Sequence, residues 1–215
     1  MIHILLTSLI TSLVISVSPK SPPGTIHLKD NIYVDQSEVS NLDWMEYLSW
    51  IKQEYGENAS EYLNALPDSE IWSSLYNTDF PTSWINSEIT YYPVVGISFS
   101  QASAYCKWRT MVVNQKFQHQ FTVTYRLPNE SEFLEVETLE NNVIYNHYDE
   151  TLGLFRSPGK AKGNYTLYVS NNVSEMTDIE GRAFGGNFMD DTHSTKMYSS
   201  PEKWLGFRCI AEMSN

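Results

Sequence analysis

The stretch EKWLGFRCIAE, residues 202–212, holds one of only two cysteines in the chain; the other is Cys106. Cys209 could be a nucleophile, a metal ligand, a free thiol or half of a disulfide, and each assignment implies a different chemistry. A catalytic or ligating thiol needs partners. The histidines, at 3, 27, 119, 147 and 193, are scattered, and none belongs to a His-Glu-x-x-His pair. Met189, His193 and Met197 offer soft or borderline donors, but their spacing matches no recognisable copper site, so surface and packing roles are the simpler reading. The acidic pairs Asp190-Asp191 and Glu130 with Glu132 read as solvated surface and helix capping before acid/base catalysts. The chain also lacks a Gly-rich phosphate loop followed by Lys, and a Gly-x-Ser-x-Gly nucleophile turn.

The elements that must hold these residues follow from periodicity. Ile32 and Val34 alternate with Tyr33 and Asp35 as in a short strand. Ser40 fits a helix N-cap with Asp43 at the third position, Leu42, Met45, Leu48 and Ile51 follow at helical spacing, and Gly56 is the stop. The aromatic residues Trp44, Tyr47 and Tyr55 beside them read as core. Residues 64–100, punctuated by Pro67, Pro81 and Pro93, show no clean period and are expected to be irregular. Ser100 is the expected cap of a helix through QASAYCKWRTMVV, which puts Ala102, Tyr105, Cys106 and Arg109 along one face. FTVTYRLP alternates as a strand, Asn129 caps a helix with Glu132 at its third position, and WLGFRCIAE reads as a terminal strand.

Residues 1–18 read as a signal peptide: Ile4 to Ser18 is apolar and hydroxyl-rich, and shorter than the roughly 20 residues of a membrane span. The Pro-rich residues 19–25 are a linker, and 26–215 form one domain, so the mature domain is expected to carry no integral membrane span. With 41% hydrophobic and 13% aromatic residues the composition is globular, and a formal charge of −12 disfavours nucleic acid as a partner. Four Asn-x-Ser/Thr sequons, at Asn58, Asn129, Asn164 and Asn172, matter only in a secreting eukaryote.

Four landmarks stand in order: YPVVGISFSQASAYCKWR, YRLPNESEFLEVE, NNVSEMTDIEGRAFGGNF and LGFRC. Together they resemble the formylglycine-generating enzyme, or sulfatase-modifying factor, family over residues 32–211. The resemblance implies an α+β fold, a variant of the C-type lectin fold low in regular secondary structure and rich in ordered loop. It also implies a disulfide between Cys106 and Cys209, whose family equivalents are paired; an even cysteine count in an exported chain agrees with this. Phe133, Met176 and Phe188 stand where the family has Trp, Leu134 where it has Glu, and Asn171 where it has Gly.

The larger departure is an absence. Formylglycine-generating enzymes oxidise a substrate cysteine with O₂ on copper(I) held by two cysteines, which lie between the Gly-Gly motif and Gly-Phe-Arg-Cys. Here that interval, NFMDDTHSTKMYSSPEKWL, has no cysteine. The resemblance therefore implies a non-catalytic exported protein of the periplasm or cell envelope that binds a protein or glycan partner. The alternatives are a formylglycine-generating-type oxidase or other modifying enzyme with an unrecognised site, and a calcium-dependent lectin-like binder. In the family, the Asn of Gly-Asn-Val-x-Glu-Trp lies in a loop that can hold structural calcium. Asn172 and Glu175 keep those positions and are the candidate calcium ligands. The competing expectation is a turn held by Asx hydrogen bonds with no metal.

Overall fold

The structure, a computed structural model, describes residues 21–76, 88–117, 120–138, 148–149, 154–155, 172–190 and 192–214. The expected signal peptide lies outside the described residues. In chain order the elements are β1 (Thr25–Lys29), β2 (Ile32–Asp35), α1 (Asn41–Tyr55), α2 (Ser60–Leu63), α3 (Ser69–Tyr76), a 3-10 turn (Glu88–Tyr91), α4 (Phe99–Phe117), β3 (Thr122–Arg126) and α5 (Glu130–Thr138). Seven short strands complete the order: β4 (Tyr148–Asp149), β5 (Leu154–Phe155), β6 (Ser174–Met176), β7 (Arg182–Phe184), β8 (Lys196–Met197), β9 (Leu205–Gly206) and β10 (Ile210–Ser214).

Helix termini follow local chemistry. At α1 the expected capping box forms: Asp43 N–H donates to Ser40 Oγ at 3.2 Å, and Ser40 N–H donates to Asp43 Oδ2 at 2.9 Å. Gly56, with φ 96°, ends the helix as expected. At α5, Glu132 N–H donates to Asn129 Oδ1 at 3.0 Å and Asn129 N–H donates to Glu132 Oε2 at 2.8 Å. At α4 the expectation was two residues late. Ser98, not Ser100, is the cap, because Gln101 supplies the return bond: Gln101 N–H to Ser98 Oγ at 3.2 Å and Ser98 N–H to Gln101 Oε1 at 2.7 Å. The expectation of irregular structure after Asn64 also fails at Ser69–Tyr76, which is helical. Asp68 Oδ1 accepts from the amides of Glu70 and Ile71 at 2.9 and 3.0 Å and starts α3, whose Trp72 and Tyr76 are buried.

The first sheet has the order β1-β2-β10-β3, all antiparallel, so the C-terminal strand is central. The second has the order β8-β7-β6-β9, with β9 parallel to β6. The expected single strand WLGFRCIAE is therefore split: Leu205–Gly206 belongs to one sheet and Ile210–Ser214 to the other, with Phe207, Arg208 and Cys209 crossing between them. Gly206 is required at that crossing, since a Cβ there would lie 2.7 Å from Val173 Cγ2 and 3.3 Å from Val94 O. Asn114 clamps α4 onto β3, donating to Val123 O at 2.8 Å and accepting from Val123 N–H at 2.9 Å. The core beneath is aromatic: Trp44 stacks on Tyr105 at 5.6 Å, and Phe207 meets both rings edge-on at 6.1 and 5.5 Å. The substituted positions serve packing: Phe133 stacks on Phe184 at 5.4 Å and Met176 is fully buried, while Leu134 is exposed. Helices packed on one antiparallel and one mixed sheet make the fold α+β, as expected. Among the described residues no helix is long and apolar enough to cross a membrane.

Candidate functional site

Cys106 reaches the core from α4 and Cys209 from the crossing before β10. Both are buried, and their Sγ atoms stand 3.2 Å apart. The separation is longer than the roughly 2.05 Å of a disulfide bond, and it leaves the two sulfurs in contact with each other. Burial, reinforced by the neighbouring thiol, pushes the Cys209 thiol well above its ordinary pKa. A nucleophile or copper ligand needs the thiolate, which this environment disfavours.

Next to Cys209 lies a buried polar seam. Arg208 is 0% exposed. Its Nε and Nη2 donate to Glu175 Oε2 and Oε1, each at 2.5 Å, and Nη1 donates to Asp35 O at 3.2 Å. Burial opposes the Arg208 charge, but the bidentate carboxylate more than offsets it and raises the guanidinium pKa further. Asn172 Nδ2 donates to Glu38 Oε1 at 3.0 Å. Glu38 is itself buried, and desolvation, followed by the nearby Glu175 charge, raises its pKa to about 7. The seam extends through β6, where Asn187 Nδ2 donates to Ser174 Oγ at 2.8 Å.

The same chain segment, Asp35 to Ser40, forms one wall of a cleft of about 970 Å³ between residues 21–25, α1 and α4. At its base Arg109 Nη1 donates to Asp35 Oδ2 at 2.6 Å and Nη2 to Pro23 O at 2.9 Å, with the guanidinium 4.2 Å from the Tyr125 ring centroid. Asp35 Oδ2 also accepts from Cys209 N–H at 2.9 Å. The Pro-rich stretch read as a linker thus ends in ordered contacts, and Thr25 Oγ1 bonds back to Pro22 O at 2.7 Å.

The sequence-derived candidates distribute as follows. Asn172 and Glu175 do enter one seam, but both Glu175 oxygens are held by Arg208 and the Asn172 amide by Glu38. Met189 and Met197 are exposed, and His193 Nδ1 lies 3.1 Å from Glu137 on α5. Among the described residues no group of three or more His, Cys, Asp or Glu side chains is placed to hold a metal ion. Glu132 is a cap and an Arg126 partner, bonded at 2.8 and 2.7 Å, and Glu130 accepts from Thr195 Oγ1. Of the sequons, Asn172 is buried, Asn129 caps α5, Asn58 is exposed, and Asn164 lies outside the described residues. Sequence reasoning passed over Asp35, Glu38 and Arg208 as functional or structural charges. The available signal was Arg208 itself, a charge flanked by Phe207, Cys209 and Ile210, which must find a buried partner.

No curated protein sequence matches the chain. Among solved structures, it is similar to CarF, at 15% identity and TM-score 0.48 over 85% of this chain and 87% of that one. It is also similar to Treponema denticola variable protein 1, at 15% identity and TM-score 0.46 over 84% of each. The sequence profile of the sulfatase-modifying factor enzyme 1-like domain matches residues 10–136, more than half of the chain. The chain belongs to the sulfatase-modifying factor family.

Proposed function

We propose that this chain is an exported, non-catalytic member of the family that binds a protein or glycan partner in the periplasm or cell envelope. One observation carries the reading. The two cysteines of the sequence face each other at 3.2 Å in the core, so no thiol is left to hold copper(I) at the position the family uses. A buried pair so placed suits a structural disulfide, and an oxidising compartment is where such a bond forms and persists. The apolar run from Ile4 to Ser18 supports export. A cleft lined by charged and aromatic residues is suited to recognition by shape and charge. The test is a pull-down from the native envelope with residues 19–215 as bait. Saturable recovery of one protein or glycan is expected; a bait that retains nothing beyond a heat-denatured control contradicts the reading.

A further inference from the structure

A second groove, of about 520 Å³, lies between α1, α2 and α4, and no residue of the buried polar seam lines it. Three aromatic rings run along it. Trp50 is central: its ring centroid is 6.1 Å from that of Tyr55, with the planes at 77°, and 6.5 Å from that of Trp108, with the planes at 52°. Tyr55 is 52% exposed, and both tryptophans are partly exposed. Trp108 is held by the buried rings of Tyr47 and Tyr105, at 5.2 and 5.3 Å. The wall that carries Asn64 is fixed as well. Gln101 Nε2 donates to Asn64 O at 2.8 Å and to Leu66 O at 2.9 Å, and Trp44 Nε1 donates to Ala65 O at 3.2 Å. A preformed hollow of this size, lined by aromatic rings with a few placed polar groups, has the character of a small-ligand site, and contiguous exposed aromatic surface is seldom left bare.

The lining also defines the ligand. Apart from Tyr55, its exposed side chains are polar: Glu61, Asn64, Ser100 and Lys107. The one carboxylate and the one ammonium cancel, so the groove is neutral in a chain of formal charge −12. An apolar peptide would set carbon against those four polar groups, and an ionic ligand would meet one charge of each sign. An uncharged molecule with an apolar face and a hydroxyl edge satisfies both halves of the lining. A pyranose chair with equatorial hydroxyls is such a molecule, since its axial C–H bonds meet the negative faces of aromatic rings. We propose that this groove binds a neutral oligosaccharide of equatorially substituted pyranoses, which stack on Trp50, Tyr55 and Trp108 and hydrogen-bond to Asn64, Glu61 and Lys107. The inference rests on the binding reading above and chooses a glycan as the partner. Because the three rings are turned against one another, they meet successive sugar units, and affinity rises with chain length.

The test is isothermal titration of the full chain with glucose, cellobiose, cellotriose, chitotriose, sorbitol and cyclohexylmethanol. One or both trisaccharides are expected to bind, more tightly than cellobiose or glucose and with little dependence on salt. Sorbitol has no ring face and cyclohexylmethanol no hydroxyl edge, so neither should bind. Tyr55→Ser, at an exposed position, and Trp50→Ala, checked for an intact melting transition, should each weaken binding about two- to tenfold. Leu134→Ser, an equally exposed apolar position on α5, should leave it unchanged. No binding of either trisaccharide, equal binding of cyclohexylmethanol, or an unaltered affinity in Tyr55→Ser overturns the proposal. Self-association of the chain that is lost in Tyr55→Ser also overturns it, by assigning the groove to a second copy. The two readings fail separately: a protein recovered from the envelope with no affinity for sugars sinks this inference alone, and oxidase activity of a sugar-binding chain sinks only the non-catalytic reading.

Discussion

Arg208 sits at 0% exposure with a full positive charge, a position tolerable only with a carboxylate on its fork. Glu175 supplies that carboxylate; the next acid, Glu38, is buried, and desolvation, followed by the Glu175 charge, raises its pKa to about 7 from an ordinary 4.5. A carboxyl raised in the folded state contributes stability that is complete below the unfolded value and lost as pH rises through the folded one. Between about pH 4.5 and 7 the protein should therefore lose stability from this group. Glu38→Gln keeps an acceptor for Asn172 and removes the charge. Chemical denaturation should show the variant more stable than wild type at pH 8 by up to about 3 kcal/mol, the difference vanishing near pH 4. The cysteine pair is tested beside it. Mass spectrometry of the purified mature protein without reductant should find Cys106 and Cys209 unalkylated and joined; the closed loop, a separation of 103 residues, makes the link worth about 4 to 5 kcal/mol in the chain-entropy account. Recovery of both as free thiols counts against it. Cys106, Cys209, Asn172 and Glu175 were visible in the sequence because they sit in motifs. Asp35 and Glu38 were not, because alternation marks which side chains turn inward and says nothing of which charges meet there.

Caps were the most legible part of the elements, since a capping box is a local bond between residues three apart. Ser40 with Asp43 and Asn129 with Glu132 form as the spacing indicates. Ser98 and Ser100 both precede the apolar run, and only the Gln101 return bond marks Ser98 as the cap. Helix α3 was lost among prolines: Pro67 reads as a breaker, yet it directly precedes Asp68, which starts the helix. The division of WLGFRCIAE between two sheets is set by tertiary pairing, Gly206 with Glu175 in one and Ile210 with Val34 and Arg126 in the other. That crossing makes Gly206 a sensitive point. Gly206→Ala must displace Val173 and should cost about 1 to 3 kcal/mol by overpacking, read as a lowered melting temperature. An unchanged temperature would show that the second sheet yields more easily than its contacts indicate.

Across the whole molecule, the α+β architecture and the family were legible because four motifs in order span nearly the full domain, while activity depends on a few residues that the same motifs do not contain. The −12 charge suits cations over phosphate backbones, without requiring a bound metal. With both Glu175 oxygens on Arg208, excess chelator and millimolar calcium should give the same melting curve; a higher melting temperature in calcium, lost in Asn172→Ala, would support the calcium reading of that loop instead. The proposed lack of oxidase chemistry is tested most directly by aldehyde formation on a sulfatase-type Cys-x-Pro-x-Arg peptide incubated with the protein, Cu(I) and O₂. A chain whose two cysteines are buried against each other should produce no aldehyde above a denatured control. Aldehyde that scales with the concentration of native protein would contradict the account.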